Sequence, residues 1–418
     1  MMENYNIGIS KIVISICLQL LISELSFGKT IVLCRDVDLQ NQLSFENATY
    51  IIQNEFDIEG KEVSLPANSI LLFRGRGKLL NGILVGNSSQ IKAGKSLILD
   101  NVKIRGRWSN TEVYSQWVLL REKNCENNFA FSCLMNLCKG DTFTHFYMQE
   151  GTYCVQAIYR SAPILVPSNV YWHNNATIKM LPNELDWFNI VYLNKSDNVV
   201  IDGGCFEGDA LEHKGLTGEW GHGIKCGGAS NVVLRNLICR YCWGDGIDLI
   251  EGLDNINRPS INCRNITIEN VKCLYNRRQG MSIEAAFDVK VKNSEFAYTG
   301  HMKKTPPSAG VDIEPWIDNC NKVWNVEFYN CKMYSNAGYD IQVTGNHVKL
   351  NSKFNNNFIL NNCIANTMLV FRTSGILIKN SIISQEFKVV KSKDVLIKDS
   401  PIKRITKGIG VSKIIIEK

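Results

Sequence analysis

Three aspartates, Asp248, Asp312 and Asp340, stand two residues beyond the central glycine of a short pattern that the chain repeats. The copies are Gly221-His-Gly-Ile-Lys-Cys226, Gly244-Asp-Gly-Ile-Asp-Leu249, Arg278-Gln-Gly-Met-Ser-Ile283, Ser308-Ala-Gly-Val-Asp-Ile313 and Asn336-Ala-Gly-Tyr-Asp-Ile341. Glycoside hydrolysis needs two carboxyl groups flanking the scissile bond, one protonated and one ionised. Read as a strand, each copy points alternate side chains to opposite sides. Ile224, Ile247, Met281, Val311 and Tyr339 then face inward, and Lys225, Asp248, Ser282, Asp312 and Asp340 face outward onto a wet surface. Glu284 and Glu314 follow two residues later, with Arg277, Arg278, His222, Trp220, Trp243 and Trp316 alongside. Indole rings that pack on sugar faces, and charged groups that hold hydroxyls or uronates, suit an extended glycan.

The spacing assigns roles. Asp248 and Asp312 fall two copies apart, roughly 9.5 Å at strand spacing, which leaves room for the attacking water of an inverting hydrolase. Asp312 and Asp340 fall on adjacent copies, about 4.8 Å apart, close enough for repulsion to raise one pKa and create a general acid. The expected catalytic set is Asp248, Asp312, Asp340 and Glu314. The expected substrate-binding set is Lys225, His222, Arg277, Arg278, Glu284, Trp220, Trp243 and Trp316. Hydrolysis of this kind requires no cofactor. The alternative is proton abstraction from an acidic polysaccharide, by a lyase or a uronan epimerase, with Lys225, His222 and Arg277 or Arg278 as base and cation. Calcium held by Asp248, Asp312, Glu314 and Asp340 could serve that reaction, because the set has enough oxygen ligands. A non-catalytic glycan binder would use the same face.

The elements that position these residues are short strands. An apolar run precedes each copy, beginning at Asn198, Asn231, Asn265, Asp288 and Asn325, so the starts lie 33, 34, 23 and 37 residues apart. That irregular period is expected of a parallel β-helix whose coils carry unequal loops. Insertions at residues 208–221, 251–263 and 301–308 are expected to rise around one face and wall a groove. Residues 29–108, with closely spaced glycines, read as a β-rich region or early coils. Residues 109–168 read as a cap and entry segment, in which 127–138 lacks alternation and reads as a helix over an open solenoid end. Residues 169–418 read as regular coils.

Residues 1–28 carry Lys11, an apolar run from Ile12 to Ile22 and the small-residue site Ser26-Phe27-Gly28, the pattern of a signal peptide. A secreted or periplasmic location is expected, with no membrane span. The net charge of +6 is spread without a Lys/Arg run, which argues against a nucleic-acid partner. Among the fifteen cysteines, Cys205, Cys239, Cys273, Cys331 and Cys363 recur at one place in successive repeats, with Phe296 filling the missing rung. They read as a ladder of buried free thiols, ahead of disulfides or a zinc site.

The strands Gly244-Asp-Gly-Ile-Asp248, Arg277-Arg-Gln-Gly-Met-Ser282 and Ala309-Gly-Val-Asp-Ile-Glu-Pro315, taken with the repeats, resemble right-handed parallel β-helix proteins of the pectate-lyase-like superfamily. The stretch from Thr144 to Tyr153 is similar to the entry segment of many such proteins. The resemblance implies an all-β, right-handed, single-stranded parallel β-helix with a short helical or irregular N-terminal cap. It also implies a polysaccharide or oligosaccharide partner, since the superfamily holds polygalacturonase-type hydrolases, polysaccharide lyases, uronan epimerases and phage tailspikes.

Overall fold

The computed structural model describes residues 28–252, 261–302, 305–315, 322–345 and 355–417. The expected signal segment lies almost wholly outside them, as does Trp316. No helix among the described residues is long and apolar enough to cross a membrane. The chain is a right-handed parallel β-helix, and every strand pairing along it is parallel.

Three strand faces wind around one core. On the first, Val170, Val199, Val232, Ile266, Val289, Val326, Phe358, Ile376, Val395 and Ile414 lie in register on successive coils. All but Ile414 are buried, so one apolar residue per coil builds a continuous column. The second face runs through Phe206, Cys239, Cys273, Phe296, Met333 and Ala365. The third carries the glycine-opened strands Trp220–Gly227, Ile247–Ile250, Met281–Ile283, Val311–Ile313 and Ile341–Thr344.

Asparagines make the corners. Asn198, Asn231, Asn265, Asn325 and Asn357 all have positive φ, the left-handed conformation that Asn tolerates better than most residues. Their amides bond from coil to coil, Asn265 to Asn231 at 2.8 Å and Asn325 to Asp288 at 2.6 Å. A second ladder links Asn270 to Asn236 at 2.9 Å and Asn330 to Asn293 at 2.7 Å.

The cysteine ladder is corrected in part. Cys239, Cys273 and Phe296 occupy successive rungs as expected, but Phe206 and Met333, not Cys205 and Cys331, stand on either side of them. Cys331 and Cys363 stack in a different column, where the Cys331 amide donates to Cys363 Sγ at 3.3 Å and the Cys363 amide to Ser381 Oγ at 3.0 Å. Thirteen cysteines lie among the described residues, and all are free thiols.

Residues before Trp108 already coil in parallel, with Thr30 beside Thr49, Thr49 beside Ile70, and Ile70 beside Gln90. The helix forms at Asn128–Leu137 and buries Phe131, Leu134 and Leu137. It packs between the strand ending at Trp108 and the strand at Ile164–Leu165, so the early coils continue beyond it.

Candidate active site

The third face brings most of the expected residues together. In register, one outward column reads Tyr192, Lys225, Asp248, Ser282, Asp312 and Gln342. The face is not wet as expected. Asp248, Ser282 and Asp312 are at most 1% exposed, so this is a sunken polar cluster with Lys225 at its edge.

Its contacts are dense. Asp248 Oδ2 lies 3.6 Å from Lys225 Nζ and 3.6 Å from His222 Nε2, and Ser282 Oγ donates to Asp248 Oδ1 at 3.3 Å. Ser282 also reaches Asp245 Oδ2 at 2.7 Å. The Arg278 guanidinium touches three carboxylates: Asp245 at 3.1 Å, Glu314 at 3.0 Å and Glu219 at 3.3 Å. Glu314 Oε1 also accepts from Gln279 Nε2 at 3.0 Å. Asp312 accepts from the neutral amide of Gln342 at 3.2 Å, and its other oxygen is buried without a hydrogen-bond partner.

These surroundings separate the acids. Burial pushes Asp312 well above the usual carboxylate range, and the neighbouring Glu314 adds to the shift. Burial also raises Asp248, but the Lys225 and Arg278 cations pull against it. Burial raises Asp245 to about 7, with the Arg278 cation pulling against the shift and the Asp248 charge adding to it. Glu284, at the rim, is raised by burial and by the Asp248 and Glu314 charges. His222 is driven well below its ordinary value by burial and by Lys225 and Arg278. The ring is therefore neutral, and since Nδ1 accepts the Asp245 amide at 3.1 Å, its proton sits on Nε2, toward Asp248.

Three expected members stand elsewhere. Asp340 belongs to the column of Gly246, Gly280 and Gly310, because Ile341, and not Tyr339, pairs with Val311. It is 2% exposed and accepts from the Asn336 side chain at 2.8 Å and from the Asn366 and Thr367 amides at 2.8 and 3.1 Å, a corner-holding role. It is not the neighbour of Asp312, so the general-acid argument built on that pair fails. The four-carboxylate calcium set fails with it, because Asp340 is bonded away from the other three. Among the described residues, no group of three or more His, Cys, Asp or Glu side chains is arranged to hold a metal ion.

Trp243 is buried and its ring is already taken up by His213, stacked on it with centroids 3.8 Å apart, so it packs in the core and does not serve as a sugar platform. Arg277 lies over Trp243 at 3.6 Å and donates to the carbonyls of Gly218 at 2.8 Å and Trp243 at 3.1 Å. It anchors the 208–221 insertion, which carries Glu219 and Trp220.

Asp245, Gln279, Gln342, Glu219 and Trp187 are site residues that sequence reasoning missed. Asp245 was visible in Gly244-Asp-Gly, one residue before the central glycine, where alternation assigned it no face. Trp187 pairs in register with Trp220, which is 38% exposed, and their rings pack tilted by 34° with centroids 5.1 Å apart. Lys225 Nζ lies 5.9 Å from the Trp187 ring and 6.0 Å from the Tyr192 ring, so this aromatic platform borders the carboxylates.

No protein-family model matches the chain. Two curated proteins of Bacillus subtilis (strain 168) are similar to part of it. The uncharacterized protein YclG is 28% identical over 228 residues, 48% of this chain and 39% of that protein. The SPbeta prophage-derived uncharacterized protein YorA is 25% identical over 191 residues, 42% of this chain and 32% of that protein. The chain thus spans well under half the length of the curated relatives it matches. Among solved structures, the chain is similar to the A-module of the Azotobacter vinelandii mannuronan C-5 epimerase AlgE6 (TM-score 0.49, 12% identity, covering 72% of this chain and 79% of that one). It is also similar to the polygalacturonase of Erwinia carotovora ssp. carotovora (TM-score 0.33, 12% identity, 94% and 97% coverage).

Proposed function

We propose that the chain is a glycan-active enzyme that hydrolyses its substrate with inversion, with Asp312 as general acid and Asp248 as general base. The carrying observation is the contrast between these two acids on one column. Asp312 faces a neutral amide and carries an unpartnered buried oxygen, whereas Asp248 faces Lys225. Asp312 gives its proton to the glycosidic oxygen as the bond to the anomeric carbon breaks. Asp248 takes a proton from a water that attacks that carbon from the opposite side. Two inter-strand steps separate them, about 9.5 Å, the upper part of the range for inverting enzymes. Trp220 and Trp187 offer ring faces to the sugar, and Lys225 and Arg278 hold the carboxylates in place.

The test is incubation with a panel of acidic and neutral polysaccharides, with reducing ends and the ultraviolet absorbance of unsaturated uronate recorded together. Reducing ends without the absorbance are expected, and Asp312→Asn and Asp248→Asn are each expected to lose roughly 10²–10⁴-fold in rate. A fully active Asp312→Asn variant would remove the assignment. A second reading, β-elimination or epimerisation of a uronan, is favoured by the neutral His222 and the Lys225 ammonium that both approach Asp248 Oδ2. It predicts unsaturated product, or an epimerised polymer with no new ends, and in either case a larger loss from Lys225→Ala than from Asp312→Asn.

A further inference from the structure

The outward column does not end at Lys225. It passes to Tyr192 and then to Leu165 on the preceding coil, where it opens into a cleft of about 830 Å³. The C-terminal part of the Asn128–Leu137 helix, the 160–169 segment and Arg107 form its walls. Five inter-strand steps separate Leu165 from Asp312, about 24 Å, so the cleft and the carboxylates lie on one line along the solenoid.

The cleft is cationic. Arg107, Lys139 and Arg160 line it, against Asp141 as the sole carboxylate in the lining, and Asp141 is paired with Arg107. Among the described residues, neither Lys139 nor Arg160 has a carboxylate within ion-pair distance. The helix carbonyls nearby are already engaged, those of Leu134 and Met135 by the Cys138 amide and that of Leu137 by Asn110 at 2.8 Å. The Arg160 guanidinium lies 4.7 Å over Trp187, which also packs against Trp220 and borders Lys225, so a guanidinium and two indoles bridge the cleft and the catalytic column.

We infer that this cleft binds units of an anionic glycan several residues away from the scissile bond, with Lys139 and Arg160 pairing with their carboxylate or sulfate groups. The inference rests on the glycan reading above and narrows the substrate to a charged polymer. Cations in a walled cleft raise the local concentration of a polyanion and hold its acidic groups by charge-assisted hydrogen bonds.

Binding is measured on the Asp312→Asn background, so that cleavage cannot interfere, by affinity electrophoresis in gels containing polygalacturonate, chondroitin sulfate or the neutral glucan pullulan. Retardation by a polyanion and not by pullulan is expected, weakening at high salt. The Lys139→Ala/Arg160→Ala double variant is expected to bind about tenfold more weakly, with Arg160→Lys restoring part of the loss. Retention by polygalacturonate alone assigns the cleft to carboxylates, and retention by both polymers assigns it to anionic groups in general. Because both side chains are exposed, the double variant should melt with the parent protein, and Lys139→Glu serves as a second probe if it does not. Equal retardation by pullulan, no retardation by any polymer, or unchanged binding by the double variant would each overturn the inference. Cleavage by the wild-type protein on the same polymers tests the catalytic reading separately.

Discussion

Asp245 is a residue whose environment decides more than its type. It is completely buried, bonded to Ser282 and Arg278, and raised to about 7 mainly by desolvation. A folded-state pKa above the unfolded value means that the native protein keeps a proton that the unfolded chain has released. The resulting stabilisation is complete below about pH 4 and is lost as pH rises through about 7. Across that window the change is on the order of 4 kcal/mol, as an upper bound. Asp245→Asn is neutral at every pH and leaves Arg278 with Glu219 and Glu314. Its melting temperature is therefore expected to vary less than the wild type's between pH 4 and 7. Thermal melts of both proteins across that range check this, and parallel profiles would show that Asp245 is ionised throughout.

At the scale of the element, the glycine-opened strand owes its shape to the corner before it. A Cβ on Gly246 would stand 2.6 Å from the Gly280 carbonyl oxygen and 2.7 Å from Asn276 Nδ2, and one on Gly280 would stand 2.4 Å from the Gly310 oxygen. Backbone cannot yield as a flexible side chain can, so Gly246→Ala or Gly280→Ala is expected to destabilise by about 1–3 kcal/mol or more. Gly94→Ala, with nothing within 4 Å of its Cβ, is the neutral control in the same denaturant titration. The same corner explains what the sequence could reveal. Glycine followed by an alternating apolar strand was enough to place four of the five strands and the Lys225, Asp248, Ser282, Asp312 register. The fifth slipped by two residues because Gly338 imitates the corner glycine, whereas the corner position belongs to Asp340. Counting from the buried rung would have fixed it: Gly246, Gly280 and Asp340 each follow Cys239, Cys273 and Met333 by seven residues. Burial was not legible, because alternation says which way a side chain points but not what the 208–221 insertion lays beside it.

Across the whole molecule, each coil touches only its neighbours, so stability is a sum of local terms and opening should begin at the ends. Eleven of the thirteen described cysteines are buried, and they sample the solenoid at intervals, whereas Cys34 and Cys125 are exposed. With no disulfide among the described residues, nothing covalent there links distant coils. Under native conditions a thiol reagent is expected to modify Cys34 and Cys125 and to spare the buried set. In denaturant below the midpoint, Cys363, which has six described strands after it, should label before Cys239 and Cys273, which lie deeper in the stack of coils. Pulse labelling read by peptide mass spectrometry orders these events. Simultaneous labelling of Cys239, Cys273 and Cys363 would mean that the coils couple strongly enough for the solenoid to open as one unit, and that the site face cannot loosen at one end while the other holds.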